Sequence, residues 1–107
     1  MLEAIKKLLG FKTVDYSQLM QEGAIILDVR TPGEFSSGHI RRSINIPLDK
    51  LSGNLNKLKN KATPVITCCA SGMRSASAKS ILQSKGYKNV YNGGSWTSLD
   101  RKINVKN

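Results

Sequence analysis

Two apolar runs constrain the fold of this chain more than any other feature of its sequence. They are AIILDV, residues 24–29, and PVITCC, residues 64–69, and neither alternates regularly between apolar and polar residues. A strand with one solvated face alternates, whereas a strand covered on both faces of a parallel sheet reads as a continuous apolar run. The two runs therefore predict central strands of a parallel sheet.

Three shorter segments extend the expected sheet. KTV, residues 12–14, INI, residues 44–46, and NVY, residues 89–91, are rich in residues that favour strands. Together with the two apolar runs they predict a parallel sheet of about five strands. Helix signals between the strands favour right-handed crossover connections, so the predicted fold class is α/β.

Two of the helix signals are capping patterns. Asp15 has the position of an N-cap for a helix that ends at Gly23. Thr31, Pro32 and Glu34 have the spacing of a capping box with proline at the first helical position. These residues predict one helix before the first apolar run in the sequence and one helix after it.

Two further helices are predicted from leucine and alanine spacing. Leucines recur at three- and four-residue steps within residues 48–59, which predicts an amphipathic helix that Gly53 can break in two. The other helix is expected to end at Gly86 and to contain Ala78, Ile81 and Leu82.

The length of 107 residues suits a single compact domain. We expect an N-terminal amphipathic helix over residues 1–11, a core over 12–94 and a short basic C-terminal segment over 95–107. The apolar stripe of the first helix can dock on its own domain, or contact another subunit or a membrane surface.

The chain is strongly basic, with 17 Lys and Arg against 7 Asp and Glu and a formal net charge of +10. The basic residues are scattered and few aromatic residues lie among them, so the pattern is not typical of nucleic-acid binding. We interpret the charge as a solvated surface that attracts small anions. Arg41 and Arg42 are candidates for the rim of an anion site, and a plain surface position is the alternative.

The sequence predicts a cytoplasmic protein without a membrane span. No segment approaches the apolar length that crosses a bilayer, and Lys6 and Lys7 interrupt the apolar stretch that a secretory signal would need. Cys68 and Cys69 are neighbours, which is unsuitable for an ordinary structural disulfide. A reducing compartment is therefore the default expectation.

The segment that follows the second apolar run has the composition of an anion-binding loop. Parallel sheets bind ligands where a strand ends and a helix begins, and backbone N–H groups that curl into a helix N-terminus can enclose an anion. Gly72 permits a tight path between the small residues and the following helix. The predicted binding residues are Ala70, Ser71, Gly72, Met73, Arg74 and Ser75.

The two adjacent cysteines are expected to differ. Cys69 lies at the mouth of the loop, where amide protons, the helix dipole and the charge of Arg74 favour the thiolate, so it is the predicted nucleophile. Side chains alternate along a strand, so Cys68 should face away into the sheet packing. A buried structural role is predicted for Cys68, with a resolving thiol as the alternative.

Two motifs carry a family resemblance. The segment DVRTPGEFSSGHIRRSINIP, residues 28–47, and the segment CASGMRS, residues 69–75, resemble the signature motifs of rhodanese-like single-domain sulfurtransferases. The resemblance implies a three-layer α/β/α fold around a central parallel sheet. It also implies that Cys69 forms a persulfide, that residues 70–74 cradle it and that Arg74 closes the cradle.

The reaction implied by the resemblance moves sulfur from a donor such as thiosulfate to cyanide, a small thiol or a protein thiol. The persulfide is covalent, so no cofactor is expected, and Cys68, Cys69 and His39 lack zinc-ligand spacing. A persulfide carrier or interaction module without turnover is the main alternative. A phosphatase of the same fold is less favoured, because the four residues between Cys69 and Arg74 make a loop one residue shorter than in those enzymes and contain no acid.

Overall fold

The computed structural model describes residues 13–104. Four helices and four strands alternate along this part of the chain, with two short 3₁₀ segments between β2 and β3. In chain order the elements are α1 Tyr16–Gln21, β1 Ile25–Asp28, α2 Pro32–Ser37, β2 Ile44–Asn45, the 3₁₀ segments Leu48–Gly53 and Leu55–Lys57, β3 Val65–Cys69, α3 Met73–Ser84, β4 Val90–Ser95 and α4 Trp96–Ile103. The N-terminal helix predicted for residues 1–11 lies outside the described residues.

The sheet has the strand order β2-β1-β3-β4, and all its pairings are parallel. The two continuous apolar runs form the two central strands, as predicted. Every residue of β3 is buried because layers cover it on both faces. The described residues contain four strands rather than about five, because Thr13 and Val14 are not in a strand.

Two clusters of buried side chains, one on each face of the sheet, define three layers. One cluster joins Leu27, Val65 and Cys69 to α3 and the 3₁₀ segments. The other joins Ile26, Ile66 and Cys68 to α1 and α4. The α/β/α architecture expected from the resemblance is therefore confirmed, and β3 sends its two cysteines into different layers.

Local capping signals determine where the first two helices begin. Asp15 accepts a hydrogen bond from the Gln18 N–H at 2.9 Å, which satisfies a free donor at the start of α1. Thr31 and Glu34 form the predicted reciprocal capping box at the start of α2. None of the described helices is long and apolar enough to cross a bilayer.

One sequence prediction needs correction. Residues 48–59 form two separate 3₁₀ segments rather than an amphipathic α-helix, with Asn54 between them. Their leucines still reach the core, since Leu51 and Leu58 are buried. Within the predicted basic C-terminal segment, the structure describes residues 95–104, where Ser95 caps the helix Trp96–Ile103 and Leu99 is buried against the sheet.

Gly93 marks the tightest approach within the sheet. A Cβ atom at this position would lie 2.8 Å from a Leu99 methyl, 2.9 Å from an Ile66 methyl and 2.9 Å from the Thr67 carbonyl oxygen. These distances are shorter than carbon atoms tolerate, and one of the contacted groups is backbone. Only glycine lets α4 pack this closely on β3.

We therefore expect Gly93→Ala to lower the free energy of unfolding by roughly 1–3 kcal/mol or more through overpacking. Gly33→Ala is the matched control, because a Cβ there meets nothing within 4 Å. Urea unfolding of both variants measures the difference. Equal stability of the two variants would show that the packing at Gly93 is looser than described.

Candidate active site around Cys69

Cys69 is the last residue of β3, and α3 begins four residues later at Met73. The connecting loop reverses direction at Gly72, which has a φ of +105° and serves as the N-cap of α3. This φ lies in the left-handed region, where a side chain would be strained. The loop thus curls over the carboxyl end of β3 and returns its N–H groups toward the Cys69 sulfur.

The Cys69 Sγ atom lies in a ring of hydrogen-bonding groups. It accepts hydrogen bonds from the N–H of Gly72 at 2.9 Å and from the N–H of Ser75 at 3.4 Å, and Ser75 Oγ lies 3.5 Å away. Burial opposes ionisation of the thiol. The hydrogen bonds from Ser75, then those from the N–H groups of Gly72 and Ser71, outweigh burial, so the pKa of Cys69 is lower than its ordinary value.

Two residues absent from the sequence prediction hold this ring in place. Asn92 Oδ1 accepts hydrogen bonds from Ser75 Oγ at 2.6 Å and from the Gly94 N–H at 2.9 Å. Thr67 Oγ1 donates to the Ser75 carbonyl at 2.8 Å. The only sequence signal for Asn92 is its position just before the Gly93–Gly94 pair, where β4 shifts register against β3 in the manner of a bulge.

Cys68 has the opposite environment, as the alternation of the strand predicts. Its side chain lies in the apolar cluster on the other face of the sheet. Burial, followed by the nearby charge of Asp28, raises the pKa of Cys68 to about 12. Of the two thiols, Cys69 is the one whose surroundings favour the thiolate.

The Arg74 guanidinium, expected to close the loop around Cys69, makes its hydrogen bonds to Glu34. It donates to the two carboxylate oxygens of Glu34 in a bidentate pair, at 2.7 and 2.9 Å. The hydrogen bonds from Arg74 and then from Thr31 lower the pKa of Glu34 to about 2. The guanidinium of Arg30 pairs with Asp28, so the Glu34 carboxylate is left for Arg74.

The other predicted binding residues follow the loop. Ala70, Ser71 and Met73 are exposed, Gly72 and Arg74 are partly buried, and Ser75 is buried behind the sulfur. Met73 is 79% exposed and is the one large apolar side chain so exposed within residues 13–104.

Arg41 and Arg42 are not brought to this site. They precede β2, at the amino edge of the sheet, and line a separate cavity with Met20, Ile103 and Asn104. His39 stacks on the Phe35 ring at 3.8 Å, and its Nδ1 lies 2.8 Å from the Phe35 carbonyl oxygen, a local structural contact. Among the described residues, no group of His, Cys, Asp or Glu has the arrangement of a metal site.

The comparison with known families agrees with this geometry. The model of the rhodanese-like domain family matches residues 13–98, and the chain belongs to this family. It is 35% identical over 114 aligned residues to thiosulfate sulfurtransferase 18 of Arabidopsis thaliana, covering 88% of this chain and 84% of that protein. It is also 35% identical over 69 residues to thiosulfate sulfurtransferase PspE of Escherichia coli, covering 64% of this chain and 66% of that protein.

A solved structure described as a rhodanese with anions from E. coli superposes with a TM-score of 0.68 at 31% identity. The match covers 71% of this chain and 91% of that chain. The family match and the shared fold therefore agree, and the family match includes the Cys69 loop.

The role of Ser75 can be tested through the ionisation of Cys69. Because hydrogen bonds from Ser75 lower the Cys69 pKa, we expect Ser75→Ala to move the midpoint of iodoacetamide labelling toward higher pH. Ser84→Ala is the control, since this serine lies on the same helix and bonds only the Ile81 carbonyl. An unchanged midpoint in Ser75→Ala would contradict the assigned role of the hydroxyl group.

Proposed function

We propose that this protein is a sulfurtransferase that carries a sulfane sulfur on Cys69. The observation that supports this most directly is the Cys69 sulfur itself, which accepts N–H hydrogen bonds from Gly72 and Ser75 and has a lowered pKa. A thiolate held in this way is a nucleophile and needs no separate general base. The chemistry needs no cofactor, because the sulfur is held covalently.

The proposed reaction has two displacements. In the first, the Cys69 thiolate attacks the outer sulfur of a donor such as thiosulfate, the S–S bond of the donor breaks and sulfite leaves with the bonding electrons. In the second, a thiophilic acceptor such as cyanide or a thiol attacks the outer sulfur of the persulfide and regenerates the Cys69 thiolate. The N–H groups of the loop stabilise the anionic sulfur between the two steps.

The comparisons support this reaction class without defining its substrates. Two relatives are named thiosulfate sulfurtransferases, and the E. coli rhodanese structure is described as containing anions. The net charge of +10 favours the approach of an anionic donor to the molecule as a whole. We further propose a reducing, cytoplasmic setting, because a thiolate nucleophile must return to its reduced form, and both cysteines are free.

A persulfide carrier is the second candidate, and one observation favours it. Cys69 has no exposed surface, although the loop around it is exposed at Ala70 and Ser71. A partner protein that displaces the loop could load the sulfur more readily than a small donor could. In that case thiosulfate would react slowly, and sulfur would pass mainly between proteins.

Steady-state kinetics with thiosulfate and cyanide test the proposal. We expect saturable ping-pong turnover, which Cys69→Ala abolishes without unfolding the protein. Cys68→Ala should retain turnover and lose on the order of 1 kcal/mol of stability, because only a small buried group is removed. Loss of turnover in a folded Cys68→Ala protein would overturn the assignment of the nucleophile, and a single stoichiometric release of sulfur would favour the carrier.

A further inference from the structure

A cavity of about 300 Å³ lies beside the Cys69 loop. Its floor is apolar, and its rim carries three polar side chains. The lining residues are Val29, Thr31, Pro47, Leu48, Asp49 and Arg74. This volume is at the small end of ligand pockets and suits a compound of a few heavy atoms.

Backbone hydrogen bonds connect the cavity to the nucleophile strand. The Leu48 N–H donates to the Val29 carbonyl at 3.1 Å, and the Val29 N–H donates to the Cys68 carbonyl at 3.0 Å. On the other side, Arg74 belongs to the loop that encloses Cys69. The cavity therefore adjoins β3 through Val29 and the Cys69 loop through Arg74.

The rim of this cavity carries a negative charge, whereas the net charge of the whole chain is positive. Arg74 is neutralised by its bidentate pair with Glu34. Asp49 is exposed and forms no ion pair within residues 13–104, which leaves its carboxylate as the uncompensated charge on the rim. The arginines Arg41 and Arg42, which could reverse this charge, lie at the other edge of the sheet.

We propose that the sulfur acceptor is a small aminothiol whose ammonium group binds Asp49. This inference rests on the sulfurtransferase function proposed above. The short aliphatic chain of the aminothiol would lie on Val29, Pro47 and Leu48, with the thiol directed toward the Cys69 persulfide. Cyanide has no aliphatic part and no positive charge, so it would use neither feature of the cavity. Among thiols of similar length, the carboxylate on the rim favours a cationic one over an anionic one.

The transfer step balances without a further reactant. The aminothiol thiolate attacks the outer sulfur of the Cys69 persulfide and forms a new S–S bond. The S–S bond to Cys69 breaks, and its electrons return to the Cys69 thiolate. The products are an aminothiol persulfide and the free enzyme, and nothing is oxidised or reduced overall.

The test uses three thiols of similar length and different charge. Protein loaded with thiosulfate and then desalted is mixed with cysteamine, 2-mercaptoethanol or 3-mercaptopropionate, and persulfide discharge is followed by intact mass. Rates are expressed per thiolate, because the three thiols ionise differently. We expect cysteamine to discharge the persulfide fastest, and Asp49→Asn to lower its rate by about 2- to 5-fold, as for an exposed ion pair.

Three controls make the result specific to charge at Asp49. The rate with 2-mercaptoethanol should be unchanged in Asp49→Asn, and Asp49→Lys should favour 3-mercaptopropionate. Glu22→Gln removes the same charge from an exposed helix end, where the side chain bonds only Gln18, and should leave every rate unchanged.

Equal effects of Asp49→Asn on all three thiols, or no effect on any, would overturn the inference while leaving the proposed function intact. If thiosulfate loads no persulfide at all, the sulfurtransferase function fails and this inference fails with it. The loading step therefore distinguishes failure of the sulfurtransferase function from failure of the aminothiol inference.

Discussion

The buried ion pair between Asp28 and Arg30 is the interaction on which the arrangement of the site depends. The Arg30 Nε lies 2.9 and 3.0 Å from the two Asp28 oxygens, and its Nη2 lies 2.7 Å from Oδ2. Both residues are buried, at 0% and 4% exposure. Loss of one partner from such a pair leaves an uncompensated buried charge, which commonly costs about 3–5 kcal/mol.

The rest of the Arg30 guanidinium fixes the elements around the pair. It donates to the carbonyls of Glu34 and Gly38, which hold both the start and the end of α2. Its charged group also lies 4.8 Å from the Trp96 ring centroid at the start of α4. Because α2 is held in this way, its Glu34 carboxylate lies within hydrogen-bonding distance of Arg74. The buried pair thus helps to position the outer part of the loop around Cys69.

The two faces of the sheet separate the chemistry of the two cysteines. Burial, and then the charge of Asp28, raise the pKa of Cys68, while the charge of Arg30 acts in the opposite direction. Cys69, one residue later, faces the N–H groups of the loop on the other side. Strand alternation predicts this difference, which is why the sequence was sufficient to distinguish the environments of the two thiols.

Features encoded within a few residues could be predicted, and features that join distant segments could not. The capping box at Thr31, the buried β3 and the Gly72 turn each have a local signal. The contacts of Glu34 with Arg74 and of Asn92 with Ser75 join residues 40 and 17 positions apart, and nothing local specifies them. Residues 48–59 had helical leucine spacing, but tertiary packing placed those leucines in the core from 3₁₀ segments instead.

The central claim is that one cysteine, Cys69, holds the transferred sulfur. The most direct measurement is the intact mass of the reduced protein after exposure to thiosulfate, compared between Cys68→Ala and Cys69→Ala. The structure predicts one added sulfur atom in Cys68→Ala, removable by dithiothreitol, and none in Cys69→Ala. An added sulfur in folded Cys69→Ala, or its absence from folded Cys68→Ala, would contradict the claim.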